Sequence, residues 1–150
     1  DEAALQVVLD ARPDIVNHNV ETVPRLQRAV RPSAGYARSL GLLARAKLAG
    51  LTTKSGLIVG LGETDDEVEG VLTDLGAIGC DIVTIGQYLR PTSNHLPVDR
   101  WVPPATFDAY ADIGRRCGIG HVQASPLTRS SYHARQAADH VAPVAIAARR

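Results

Sequence analysis

The sequence has 150 residues, 45% of them hydrophobic and 21% charged, with 16 basic side chains against 16 acidic ones. That length and apolar content are enough for one domain with a core and exclude a disordered chain, and no apolar run is long enough to cross a bilayer as a helix. Zero formal net charge leaves no global field to steer nucleic acid or an anionic lipid surface toward the protein.

Ala3 to Ala11 has helical spacing, with Leu5, Val8 and Leu9 on one face, and Pro13 breaks it. Ile15-Val16-Asn17 reads as a short strand that exits into Asn17-His18-Asn19. Val23 to Val30 is a short helical piece ended by Arg31-Pro32. Tyr36 to Ala49 is a clearer helix with the stripe Leu40, Leu43, Ala44 and Leu48, stopped by Gly50. Thr53 to Val59 is a strand that runs into a glycine turn, Gly60-Leu61-Gly62-Glu63. Thr64 and Glu67 then form a capping box, and Asp65 and Asp66 suit the positive end of the helix they open. Val68, Val71, Leu72, Leu75 and Ile78 follow at helical spacing. Asp81 to Ile85 is apolar without alternation, as a strand covered on both faces should be. Arg90 to Pro104 is a polar connection with four prolines. Phe107 to Cys117 is a helix with Phe107, Tyr110 and Ala111 on one face, Ile119 to Ala124 a last strand, and Arg129 to His133 a polar loop. The tail from Ala134 is expected to be helical.

Alternating strands and helices with short links imply a parallel sheet, either open or part of a barrel. Both architectures place ligand sites at the carboxyl ends of the strands. The polar clusters Asn17 to Glu21, Gly60 to Glu63, Gln87 to Pro91 and Ser125 to His133 all fall there. The glycines let a ligand approach the backbone, and Glu63 is an acid that can orient a polar group. Amides and a carboxylate at Asn17 to Glu21 suit ribose hydroxyls and an ammonium, or else form an Asx turn. Tyr88 can stack on a ring and Arg90 can hold a carboxylate or phosphate, or the two are an interface aromatic and a surface arginine. Arg25, Arg28 and Arg31 face an acidic partner or solvent.

The glycines match neither a dinucleotide fingerprint nor a Walker A loop. The five histidines show no metal-ligand spacing. Cys80 and Cys117 cannot make a disulfide framework, read as packing residues, and fit a reducing cytoplasm. Asp1-Glu2 has the wrong charge to open a secretory signal. The missing initiator Met is what a segment of a longer protein would show.

Taken in order, Asn17-His18-Asn19-Val20-Glu21-Thr22-Val23-Pro24-Arg25, Val30-Arg31-Pro32, Thr53 to Thr64, Gln87-Tyr88-Leu89-Arg90-Pro91, His95-Leu96-Pro97-Val98 and Arg129-Ser130-Ser131-Tyr132-His133 are far more specific than any of them alone. From about Leu5 to Ala134 the chain resembles the C-terminal half of lipoyl synthases, which are radical S-adenosylmethionine (SAM) enzymes. The resemblance implies an α/β fold whose parallel β/α units form about half of a partial (β/α)6 TIM-like barrel over residues 1–134, followed by a tail over 135–150. It implies insertion of two sulfur atoms, at carbons six and eight of an octanoyl chain carried on a lysine. The cofactors implied are SAM and two 4Fe–4S clusters, the auxiliary one consumed as the sulfur source. The implied partners are octanoylated lipoyl-carrier protein domains and an electron donor of the ferredoxin or flavodoxin type, in the cytoplasm, with neither nucleic acid nor membrane.

By the same resemblance Asn17, Glu21, Gly60, Glu63, Gln87 and Tyr88 border SAM. Ser131, with Ser130 as the alternative, is an oxygen ligand of the auxiliary cluster, an uncommon role beside cysteine thiolates. The family's two cysteine triads are absent from these residues, so the segment alone is expected to be inactive. Ser125-Pro126 stands where the family usually has Gly-Pro. Two other readings stay open at this level: a non-catalytic half-barrel, and another sulfur-inserting radical SAM enzyme of the biotin-synthase kind.

Overall fold

The computed structural model describes residues 2–131. Tyr132, His133, the expected boundary near residue 134 and the tail helix lie outside the described residues.

Four strands, β1 (Ile15–Asn17), β2 (Thr52–Val59), β3 (Ile82–Gln87) and β4 (His121–Ala124), pair in chain order and all in parallel. Helix α1 (Glu2–Asp10) precedes them. Between β1 and β2 lie a 3-10 turn (Pro24–Leu26), the short α2 (Gln27–Val30) and α3 (Tyr36–Leu48). Helix α4 (Asp65–Ala77) joins β2 to β3, and α5 (Pro104–Arg116) joins β3 to β4.

The strand order favours the barrel that the resemblance implies over an open, doubly wound sheet. A doubly wound sheet reverses its order at a switch point and carries helices on both faces. Here the order never reverses. Leu57 and Val59 of β2 and Val83 and Ile85 of β3 share one buried cluster with Leu43 of α3, Val68, Val71, Leu72 and Leu75 of α4, and Phe107, Tyr110 and Ala111 of α5. All three crossover helices therefore pack on one face, as in the wall of a β/α barrel. The alternate residues Lys54, Gly56 and Ile58 of β2 and Thr84 and Gly86 of β3 face the other way, with Gly56 paired to Thr84 and Ile58 to Gly86. Every residue of β3 is buried, so that inner face is covered as well.

The capping box of α4 forms as its sequence implies: the Glu67 amide donates to Thr64 Oγ1 (3.2 Å) and the Thr64 amide to Glu67 Oε2 (2.9 Å). Three expectations are corrected. In α3 the buried positions are Ser39, Leu43 and Ala46, while Leu48 is 89% exposed, so the packed stripe favours small residues that let the helix approach the sheet. Strand β3 runs on through Gly86 and Gln87. Helix α5 starts at Pro104, whose fixed φ suits a first helical turn.

Candidate functional site at the strand exits

The chain leaving β1 does not turn away at once. The His18 amide donates to the Lys54 carbonyl (2.9 Å), the Glu21 amide to the Gly56 carbonyl (3.0 Å), and the Ile58 amide to the Glu21 carbonyl (2.8 Å). Residues 17–21 are thereby laid along β2. Glu21 adopts φ +67°, a left-handed conformation that costs a non-glycine residue energy and that recurs at ligand sites. Its carboxylate accepts from Asn19 Nδ2 (3.2 Å), and Arg31 Nη1 donates to the Asn19 carbonyl (2.6 Å). Asn19 Oδ1 is buried without a hydrogen-bond partner. It stands only 2.7 Å from where a Cβ on Gly56 would lie, so β2 must be bare at that point. Such an orphaned acceptor is costly and marks a place where a donor from a ligand fits.

The glycine turn after β2 is held from behind. Gly60 and Gly62 have φ +104° and +102°. The Glu63 carboxylate is fully buried and accepts from the amides of Gly60 (2.6 Å) and Leu61 (2.9 Å), with Arg100 Nη2 at 3.6 Å. Gln87 donates from Nε2 to the carbonyls of Tyr88 and Arg100 (both 3.1 Å) and accepts from the Val102 amide (2.9 Å). A Cβ on Gly60 would meet that Nε2 at 2.3 Å and the Arg100 carbonyl at 2.6 Å. From the other side Arg25 Nη2 donates to the Gly62 carbonyl (2.8 Å), and its Nε donates to Glu67 (2.7 Å). The Arg25 hydrogen bond, and then the Thr64 amide, hold the Glu67 carboxyl down at about 2.

In front of these supports runs a trough along the rim. Its middle, about 360 Å³, is lined by Glu21, Val30, Arg31, Ile58, Tyr88 and His95. That lies in the range of about 300–1,000 Å³ expected for small-molecule sites. One end continues over Tyr88 to Leu61, Leu96 and Pro97. Tyr88 is fixed there, its hydroxyl donating to the Leu96 carbonyl (2.8 Å). The other end narrows into a hollow of about 100 Å³ between Asn19, Gly56, Thr84, Gly86 and Ser130. The trough is apolar at one end, carries a carboxylate and a guanidinium in its middle, and reaches serine at the other.

The serine segment arrives from β4 across the inner face. The Ser125 amide donates to the Ile85 carbonyl (3.2 Å), and the Thr128 amide to the Ser125 carbonyl (3.1 Å). The hydroxyls of Ser125 and Thr128 lie 2.8 Å apart, so the serine at this position closes the turn with its side chain. The Thr128 carbonyl sits over Gly86, only 2.2 Å from where a Cβ there would be. Glycine is thus what admits the segment to the sheet.

Of the residues expected to border a cofactor, Glu21 and Tyr88 line the trough, and Asn17 is exposed at the end of β1 without lining it. Gly60 has no side chain to offer it, and those of Glu63 and Gln87 are bonded to backbone groups instead. The expectation that Glu63 offers its carboxylate to a ligand is corrected by its two backbone amides and its burial. Ser130 lines the narrow end, and Ser131, the next residue, is exposed. Arg90 closes its own loop by donating to the His95 carbonyl (2.9 Å). Cys80 is buried, which with its surroundings pushes its thiol up to about 11 and suits a packing role. Lys54 was given no role by sequence reasoning, and Asn19 and Arg31 were named there only as members of clusters. Lys54 carries a signal, a charged side chain inside an otherwise uncharged strand, whereas Arg31 caps the end of α2 and carries none.

The family model described as "Radical SAM superfamily" matches residues 1–75, half of the chain. The chain belongs to the radical SAM superfamily. It is 58% identical over 134 residues to the lipoyl synthase of Oleidesulfovibrio alaskensis, covering 89% of this chain and 46% of that protein. The lipoyl synthase of Nitratidesulfovibrio vulgaris is 58% identical over 137 residues, 91% of this chain and 46% of its own. That of Rubrobacter xylanophilus is 51% identical over 151 residues, 99% of this chain and 47% of its own. The chain therefore spans about half the length of the curated relatives it matches.

Radical SAM membership implies SAM and iron–sulfur chemistry. The trough offers groups that fit a nucleoside joined to an amino acid: a tyrosine ring among Leu61, Leu96 and Pro97 at one end, and the Glu21 carboxylate and orphaned Asn19 oxygen as acceptors for hydroxyls or an ammonium. Iron is different. Among the described residues no group of three or more His, Cys, Asp or Glu side chains is placed to hold a metal ion. No helix among them is long and apolar enough to cross a membrane.

Proposed function

We propose that this chain supplies the SAM-facing rim and the serine segment of a lipoyl synthase that inserts two sulfur atoms into a protein-bound octanoyl-lysine. The observation that carries this reading is convergence. The polar exit of β1, the Tyr88 rim and the Ser130-Ser131 segment, far apart in sequence, border one trough on the inner face of one barrel wall. The identity to lipoyl synthases over 89–99% of the chain supports the same assignment.

In this reading Tyr88, Ile58 and Leu61 receive the adenine, and Glu21 with Asn19 takes the ribose or methionyl ammonium. Asn17 lies at the mouth of the site. Gly60, Glu63 and Gln87 serve at one remove by holding the wall against which the nucleoside rests. When bound, SAM supplies a radical able to abstract hydrogen from an unactivated carbon; the residues here orient and shield it. Ser131 is assigned as an oxygen ligand to the auxiliary cluster, with the remaining ligands of both 4Fe–4S clusters outside these residues. Octanoylated lipoyl-carrier domains are the substrates, a ferredoxin- or flavodoxin-type protein the reductant, and the cytoplasm the compartment.

Equilibrium dialysis of SAM against the full-length protein tests the trough. E21A and Y88A are expected to weaken binding about tenfold or more, since each removes a buried polar or stacking contact worth roughly 1–3 kcal/mol. Unchanged affinity in both variants would remove the SAM assignment of this trough.

A further inference from the structure

Lys54 has a place in the fold that the SAM-binding reading does not use. It sits in the middle of β2 and is 2% exposed, a rare state for lysine. None of the ion pairs among the described residues includes it. Its ammonium donates instead to the main-chain carbonyl of Ser130, at 2.6 Å, across 76 positions of sequence. Burial lowers its pKa from the ordinary lysine value, as expected of a cation without a carboxylate beside it. An apolar side chain of similar length would be easier to bury, so a retained cation here signals a specific contact rather than core packing.

We propose that Lys54 is the positioning residue of the serine segment: its ammonium reaches across the inner face from β2, holds the Ser130 carbonyl, and so sets where Ser131 stands. Two features make this a clamp. Bare Gly86 on β3 admits the Thr128 carbonyl from one side, and Lys54 on β2 draws the Ser130 carbonyl from the other. Between them the segment is fixed at successive points along the sheet. Lysine suits the task because its charge strengthens a hydrogen bond to a neutral carbonyl. The consequence for the reaction rests on the reading of Ser131 as a cluster ligand; the clamp itself does not.

The test is amide hydrogen exchange of residues 127–131 in the full-length protein, comparing wild type with K54M, K54R and G86A. K54M keeps the length of the side chain and removes the donor. Exchange in the segment should rise by roughly tenfold, with the rest of β2 and β3 unchanged. K54R, which keeps a charged donor, should recover much of the protection. G86A should loosen the same residues from the opposite side by lifting the Thr128 carbonyl. SAM affinity should be the same in K54M as in wild type, while thiolated product falls. Wild-type exchange in K54M overturns the clamp, whatever G86A does. So does a K54M variant that loses SAM binding along with segment protection, since Lys54 would then support the whole rim. Normal product formation by S131A would instead refute the role of Ser131 and leave the exchange result standing.

Discussion

Glu63 shows how a residue serves a ligand site without touching the ligand. Its carboxylate satisfies two amides that the φ values of Gly60 and Gly62 leave without helix or strand partners. Replacing it by alanine leaves two buried N–H groups unpaired, each costing on the order of 1–3 kcal/mol. E63A should therefore lower the denaturant midpoint markedly and release the glycine turn, with E63Q milder because it retains an acceptor. A midpoint within experimental error of wild type for E63A would show that the turn does not depend on the carboxylate. At this scale the sequence was informative about residue type and less so about direction. Glycines and an acid at a strand end announce a ligand turn, but the surroundings that turn the acid to the backbone come from elsewhere, Gln87 from the end of β3 and Arg100 and Val102 from the loop after it.

Helix α4 and its attachment form the unit that carries the glycine turn. Thr64 and Glu67 were legible because a capping box is local, its partners three residues apart. The Arg25 contact with both Glu67 and the Gly62 carbonyl was not, since it spans about forty positions. It gives the turn a pH dependence. Glu67 is held at about 2 in the fold against 4.5 for an ordinary glutamate, so its stabilising contribution is present above about pH 4.5 and is lost as pH falls toward 2. Acid titration of thermal stability should show a steeper fall across that window in wild type than in E67Q. The difference should shrink at high salt, because Arg25 is largely exposed. Equal slopes would mean that the pair contributes nothing in solution. Other misjudged elements have similar causes. Gly86 is a poor strand former on its own, and Gly86 and Gln87 belong to β3 because they pair with Ile58 and Val59 of β2, a long-range contact. In the α3 stripe Leu43 is buried and Leu40 packs against the core as expected, while Leu48 is exposed and Ser39 and Ala46 are buried in addition.

For the molecule as a whole, the parallel α/β pattern was readable from alternating elements, whereas the barrel wall was implied by the family resemblance and not by the periodicity. In the structure that wall shows in the strand order and in the gathering of α3, α4 and α5 on one face. The same one-sidedness leaves the inner face for ligand and serine segment, and it unites the separate polar clusters in one trough. The mass of a product tests the assignment to lipoyl synthesis most directly. Full-length protein, reconstituted with iron and sulfide and supplied with SAM, reductant and an octanoyl-lysine carrier peptide, should convert the peptide to a species heavier by two sulfur atoms less the hydrogens they replace. S131A should stop short of it. An octanoyl peptide of unchanged mass in the presence of intact clusters and cleaved SAM would contradict the assignment of this chain to lipoyl synthesis.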